Sequence, residues 1–123
     1  MTLNAIHKIA LDLLFETTGN TEDYDAVAVS FATALISELF QTNNILREAK
    51  GLERLEEIPT VERLEDDIPF EVEICTNIFP YGLASKYIYD EGDLSLTNYF
   101  TALYTTNTNN IMPAAVGQIE DNY

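Results

Sequence analysis

Tyr24-Asp25-Ala26-Val27-Ala28-Val29-Ser30-Phe31-Ala32-Thr33-Ala34-Leu35-Ile36-Ser37-Glu38-Leu39 decides the fold class. Tyr24, Val27, Ala28, Phe31, Leu35 and Leu39, joined by Ala32, recur at the three- and four-residue spacing of an amphipathic helix. Ala26, Val29 and Ala34 widen that stripe until most of the surface is apolar. A helix of this kind belongs at the centre of a core or between subunits. The pattern predicts a start near Thr21, where Glu22, Asp23 and Asp25 favour the positive end of the helix dipole. It predicts an end at Gln41-Thr42-Asn43-Asn44, where the apolar period fades.

Toward the N-terminus, Leu3, Ile6, Ile9, Ala10, Leu13 and Leu14 give a second amphipathic pattern, from Leu3 to about Glu16. Gly19 is placed to end it as a C′ glycine. His7, the only histidine, follows Ile6 near the start of this helix and is expected at the surface or its boundary.

Toward the C-terminus the character changes. Ile45 to Lys50 suits a short helical turn ended by Gly51. Leu52, Leu55, Ile58, Val61, Leu64 and Ile68 then fall among nearly continuous charge, and Pro59 and Pro69 forbid one long helix. Pro59 to Leu64 suits a short extended strand. Arg47, Lys50, Arg54 and Arg63 lie here beside Glu48, Glu53, Glu56, Glu57 and Glu62. Such mixed charge predicts a solvated or partner-facing arm, about residues 43–69, longer than an ordinary connection.

A third helix is expected from about Phe70 to Asp90, kinked or loosened by Pro80 and Gly82. Asp90-Glu91-Gly92-Asp93 makes a turn, and Asp93 caps a last helix from Leu94 to about Thr106. From Asn107 to Tyr123 the helical period is lost, which predicts an extended, mobile tail. The fold class is therefore mostly α: a bundle of about four helices over residues 1–106, with the arm between helices two and three and a tail over 107–123.

The chain has 123 residues, the size of one domain, and its 21 Asp and Glu against 6 Lys and Arg give a net charge of −15. That charge repels phosphate backbones and anionic membrane surfaces, so neither specific DNA binding nor membrane binding is expected. One cysteine, Cys75, permits no internal disulfide and reads as a small buried hydrophobe beside Ile74 and Ile78. The N-terminal residues lack the pattern of a signal peptide, and the apolar stretch from Ala26 to Ser37 is too short to span a bilayer. An intracellular, soluble product is the expectation.

Catalysis needs a constellation, and none is legible. There is no phosphate-cradling glycine loop, no dinucleotide fingerprint and no nucleophile elbow. With one Cys and one His, a zinc site is not expected. The acidic stretches at residues 20–25 and 90–93 lack the order of a calcium-binding EF-hand, and helix capping accounts for both. No cofactor and no enzymatic activity are expected. Seven tyrosines divide between core packing and interface duty.

Ile68-Pro69-Phe70-Glu71, then Phe79-Pro80-Tyr81-Gly82-Leu83-Ala84-Ser85-Lys86-Tyr87-Ile88-Tyr89-Asp90-Glu91-Gly92-Asp93, then Tyr99-Phe100-Thr101-Ala102-Leu103-Tyr104, resemble the head–tail connector (adaptor) proteins of tailed phages. Ser37-Glu38-Leu39-Phe40 and Asn44-Ile45-Leu46-Arg47-Glu48-Ala49-Lys50-Gly51-Leu52 are similar to prophage proteins of the same kind. The resemblance covers most of residues 2–106 and consists of helical packing signatures. It implies a structural subunit of the virion neck, assembled in the host cytoplasm as a ring of identical copies, twelvefold, below the portal protein. A downstream stopper or tail protein would dock beneath, and DNA would pass through the lumen without specific binding. Contacts to the portal or to neighbouring copies are expected from Ile111, Met112, Pro113, Val116, Ile119 and Tyr123 of the tail and Arg47, Arg54, Arg63 and Leu64 of the arm. The competing readings are another neck or tail component (a stopper or tail-completion protein) and an acidic DNA-mimic inhibitor.

Overall fold

A computed structural model describes the backbone of residues 1–18 and 24–121 and the side chains of residues 1–16 and 24–111. It is mostly helical, with α1 at Leu3–Thr18, α2 at Asp25–Ala49, α3 at Val72–Asn77, α4 at Phe79–Asp90 and α5 at Leu94–Asp121. The expected start near Thr21 and the stop at Gly19 fall outside the described residues.

The core gathers around α4. Phe79, Leu83, Ala84, Tyr87 and Ile88 are buried on it, and α4 touches all four other helices. Leu3, Ile6, Ala10 and Leu14 pack from α1, and Ala28, Ala32, Leu35, Ile36 and Leu39 from α2. The expectation that α2, apolar on most of its surface, sits at the centre of the core is corrected: Ala26 and Ala34 are exposed, and α2 has one buried face. Of the residues that widen its stripe, only Val29 packs against the core.

The stops are set by glycine. At the end of α2, Gly51 has φ +77°, its N–H donates to Glu48 O at 3.0 Å and the Leu52 N–H donates to Arg47 O at 2.9 Å. At the end of α4, Gly92 has φ +84° and donates to Tyr89 O at 2.9 Å, followed by Asp93 to Ile88 O at 3.4 Å. Both are six-to-one closures that need a left-handed residue. Asp93 then caps α5, its Oδ1 accepting the Leu96 N–H at 3.0 Å, as expected.

The expected third helix is two helices. Ile78, with φ −124° and ψ −58°, breaks the chain between α3 and α4. Pro80 then lies in the first turn of α4, where its missing N–H costs nothing. Gly82 does not loosen α4. A Cβ there would lie 2.8 Å from Leu35 Cδ2 and 2.9 Å from Tyr104 Cε2, so the glycine lets α2 and α5 close onto α4. Gly82→Ala should destabilise the fold by about 1–3 kcal/mol through overpacking, more than the gain of under about 1 kcal/mol in helix propensity. Urea unfolding midpoints of the two proteins measure the difference.

Two further expectations are corrected. Helix two does not fade at Asn43-Asn44 but runs on to Ala49, because Thr42, Asn43 and Asn44 are buried and the two asparagines bond the arm. The tail expected to be extended from Asn107 is helical to Asp121. Asn107 Nδ2 donates to Asn77 O at 2.7 Å, Thr108 Oγ1 donates to Tyr104 O at 2.8 Å, and Ile111 packs on the core. Tertiary anchors thus override the poor helix propensity of the Thr/Asn run. No strand forms among the described residues. The extended segment expected at Pro59–Leu64 makes no ladder, and one isolated antiparallel bridge joins Thr2 to Asp67.

Candidate functional site

Three features carry side-chain chemistry: the arm and its straps, a buried polar chain inside the bundle, and the outward face of α5.

The arm, residues 51–71, keeps most of its charged side chains exposed, as expected, but is anchored to the body by a few buried residues. Val61, Ile68 and Phe70 are buried, and Leu55 and Leu64 are half-buried, leaving Leu52 and Ile58 exposed. Asn44 holds its near end, accepting the Leu55 N–H at 2.8 Å and donating Nδ2 to Leu55 O at 3.2 Å. Asn43 holds its far end, where Oδ1 accepts the Glu71 N–H at 2.7 Å. The middle of the arm supplies carbonyls to the start of α1: Leu3 N–H donates to Asp66 O at 2.9 Å and Asn4 N–H to Leu64 O at 2.7 Å. The first amides of a helix have no partner within it, so the arm acts as an external cap.

Ion pairs reinforce the arm's junction with α2. Glu71, largely buried, bridges Arg47 Nη1 at 3.0 Å and Lys50 Nζ at 3.1 Å, and Glu73 meets Lys50 at 2.6 Å. Arg54 reaches Glu48 at 2.8 Å and Gln41 Oε1 at 2.8 Å, and Arg63 lies 3.7 Å from Asp66. The arm's basic residues therefore face carboxylates of their own chain. Arg47 and Arg54 come together at the α2–arm junction, whereas Arg63 and Leu64 sit at the bend beside α1.

These pairs predict a pH response with a definite sign. Burial works against the Lys50 ammonium, but hydrogen bonds from Glu73 and Glu71 outweigh it and raise its pKa. The Lys50 hydrogen bond lowers Glu73. The backbone amides of Glu62 and Arg63 lower Asp66. A lowered carboxylate contributes stability above its ordinary value, 4.5 for Glu73 and 3.8 for Asp66, and loses it as pH falls through the folded value. Lys50 contributes below its ordinary 10.5 and loses that contribution as pH rises through the raised value. The arm should hold across neutral pH and loosen at both extremes. Backbone amide chemical shifts of Leu3 and Leu55 followed by NMR report it, and shifts that stay constant until the whole domain unfolds contradict it.

Inside the bundle, His7 is buried at 1% exposure, not at the surface. Its Nδ1 lies 2.8 Å from the Tyr87 hydroxyl and its Nε2 2.6 Å from Asp25 Oδ1. One tautomer satisfies both bonds, with Nε2–H donating to the carboxylate and Nδ1 accepting the phenol proton. Tyr24 stacks on Tyr87 at 4.6 Å, and its hydroxyl donates to Glu91. Burial, then the Asp25 charge, raises the Tyr87 pKa and keeps the phenol protonated. The order Asp25–His7–Tyr87 resembles a proton relay, but Tyr87 is fully buried and offers no surface to a substrate. The chain ties α1, α2 and α4 together. Cys75 is likewise buried, its thiol pushed up to about 11 by desolvation, and it donates to Phe70 O at 3.6 Å. Among the described residues no group of three His, Cys, Asp or Glu could hold a metal ion. No helix described is long and apolar enough to cross a membrane.

The third feature was missed in reading the sequence, although it is written there. No charged side chain occurs between Asp93 and Glu120, in a chain where charged residues make up 22%. On α5, Leu96, Phe100, Leu103, Tyr104, Asn107 and Ile111 face inward. Ser95, Asn98, Tyr99, Ala102, Thr105, Thr106 and Asn109 are exposed on the opposite side. Of the interface residues expected in the tail, Ile111 is half-buried beside Tyr81 and Asn77. Met112, Pro113, Val116 and Ile119 lie on the last turns of α5, and their side chains, like Tyr123, lie outside the described residues.

No protein-family model matches this chain, and neither a curated protein nor a solved structure matches it. The connector likeness therefore rests on the sequence runs quoted above.

Proposed function

We propose that this chain is a non-enzymatic structural protein of a tailed-phage neck, a head–tail connector subunit that joins the portal protein to the tail in a ring of copies. The observation that carries the reading is the contrast between a strongly acidic body and a long α5 that carries no charge from Leu94 to Ile119. Twenty-eight residues of helix span about 42 Å, far more than the twelve-residue α4 on which α5 packs. Such a helix serves contact between proteins better than contact with solvent. The strapped arm supports the same role, because a fixed arm keeps its shape through assembly and lowers the entropic cost of binding.

The acidic body suits a lumen through which DNA passes, since carboxylates gain nothing from phosphates and release no counterions. The DNA-mimic reading draws on the same charge, but an uncharged helix face gives a basic enzyme nothing to grip. The stopper or tail-completion reading differs in position alone. Disrupting the gene in the phage that encodes this chain separates them: the connector reading expects portal-bearing heads that recruit neither stopper nor tail. Heads that still recruit a stopper ring without this chain would move it to a later position in the neck.

A further inference from the structure

The outward face of α5 is a surface without an obvious use in the isolated chain. A helix face in water normally carries charge for solvation and i,i+4 pairing. Here Ser95, Asn98, Ala102, Thr105, Thr106 and Asn109 are small or uncharged and exposed, with Tyr99 among them at 53% exposure. Threonine and asparagine are poor helix formers, so this composition does not serve helix stability either.

We infer that this face of α5, centred on Ala102 and Thr106, is where a second copy of the same chain packs. The inference rests on the subunit reading above for its setting, and on charge for its occupant. Two copies each carrying −15 repel over most of their surfaces. They can approach closely only where neither presents a carboxylate, and α5 presents none from Leu94 to Ile119. A basic partner would select the opposite, a surface rich in Asp and Glu. A like-charged partner selects this one. Tyr99 supplies an exposed aromatic of the type that anchors interfaces, and the short neighbours let a facing backbone come near.

The size of the face sets the strength of the contact. The face from Ser95 to Asn109 is about 22 Å long and roughly 10 Å wide, on the order of 200 Å² per copy. That is about a quarter of the roughly 800 Å² per partner of a standard stable interface. The charge argument sets the same face on both copies, so the contact is two-fold and closes on a pair, and this pairing is weak and concentration-dependent. Its salt dependence has an unusual sign. No cross-interface ion pair is lost when salt is added, while repulsion between the acidic bodies is screened, so association strengthens with salt.

Sedimentation velocity over a concentration series at low and high salt tests this, using the full chain, Ala102→Glu, Thr106→Glu and, as a control of equal charge, Thr60→Glu in the exposed part of the arm. Circular dichroism confirms that each variant is folded, and both α5 changes are at exposed helical positions where glutamate is a good helix former. The expected result is association that grows with salt, weakened at least about tenfold by either α5 change and little altered by Thr60→Glu, because like charges placed at a contact oppose it directly. A chain that stays monomeric at every concentration and salt level overturns the inference, as does association indifferent to Ala102→Glu and Thr106→Glu. Neither outcome decides the connector reading, which is scored by binding to the portal protein rather than to copies.

Discussion

Tyr87→Ala leaves a chain that does not hold a cooperative fold at ordinary temperature. Tyr87 has no exposed surface and lies on α4, which every other helix touches. Its ring stacks on Tyr24 at 4.6 Å and lies 5.9 Å from Phe31, so one side chain joins α4 to α2 and to the residue that starts it. Removing a buried aromatic ring costs about 3–5 kcal/mol. Removing its hydroxyl also strands His7 Nδ1, an acceptor in a residue with 1% exposure, for about 1–3 kcal/mol more. The sum, about 4–8 kcal/mol, equals the total stability of a small domain in the lower part of its range of about 5–15 kcal/mol. Tyr87→Phe keeps the stack and loses only the bond, so it should remain folded with a loss of about 1–3 kcal/mol. Urea unfolding followed by circular dichroism ranks the three proteins. An alanine variant as stable as the phenylalanine variant contradicts the packing described for this ring.

Truncation of the last helix separates folding from docking at a defined residue. Cutting after Ile111 removes no described core contact, whereas cutting after Thr106 removes the Asn107 bond to Asn77, the Thr108 bond to Tyr104 and the packing of Ile111. The shorter chain should lose about 1–3 kcal/mol, from one half-buried apolar side chain and the Asn107 hydrogen bond. The chain ending at Ile111 should match the full protein in unfolding midpoint yet fail to bind the portal protein, because it lacks Met112, Pro113, Val116 and Ile119. Portal affinity unchanged by that cut removes the C-terminal turns of α5 from the docking surface.

What was legible in the sequence follows from where the deciding interactions lie. Stops made by glycine at positions 51 and 92 and the cap at Asp93 are local, and they read correctly because left-handed backbone and side-chain capping need only neighbours in sequence. Pro80 signalled an interruption, since proline's missing donor is a property of the residue, but the sequence suggested a kink inside one helix where the chain instead breaks at Ile78 into α3 and α4. Long-range partners were invisible. Asn43 and Asn44 looked like a helix end because asparagine usually caps or turns; here their amides bond the arm at Leu55 and Glu71, and that requires the fold to be known. The Thr/Asn run after Thr106 looked like a tail because propensity was the only local signal, and the carbonyl of Asn77 that holds Asn107 lies thirty residues away.

The candidate site was less legible than the fold. Mixed charge around Arg47, Arg54 and Arg63 suggested an arm reaching outward; Arg63 stays exposed, but Arg47 and Arg54 strap the arm to α2, and Glu71 sits where Arg47 and Lys50 can both reach it. Charge composition gives the number of ions but not their pairing. His7 looked superficial because a polar side chain was set apart from the apolar stripe, although its place four residues after Leu3 and three before Ala10 puts it on the same buried face. The uncharged run from Leu94 to Ile119 was readable throughout, but a search for charged and reactive groups passes over a surface defined by having none.

The central claim, that the chain is a connector subunit, is tested most directly by the mass of the assembly it forms with the portal protein of its own phage. Native mass spectrometry of the full chain mixed with portal rings, at several salt concentrations, gives the stoichiometry in one measurement. The account predicts a discrete complex with a fixed number of copies per portal ring, stable as salt is raised. Portal rings that retain their unliganded mass at every salt concentration contradict it.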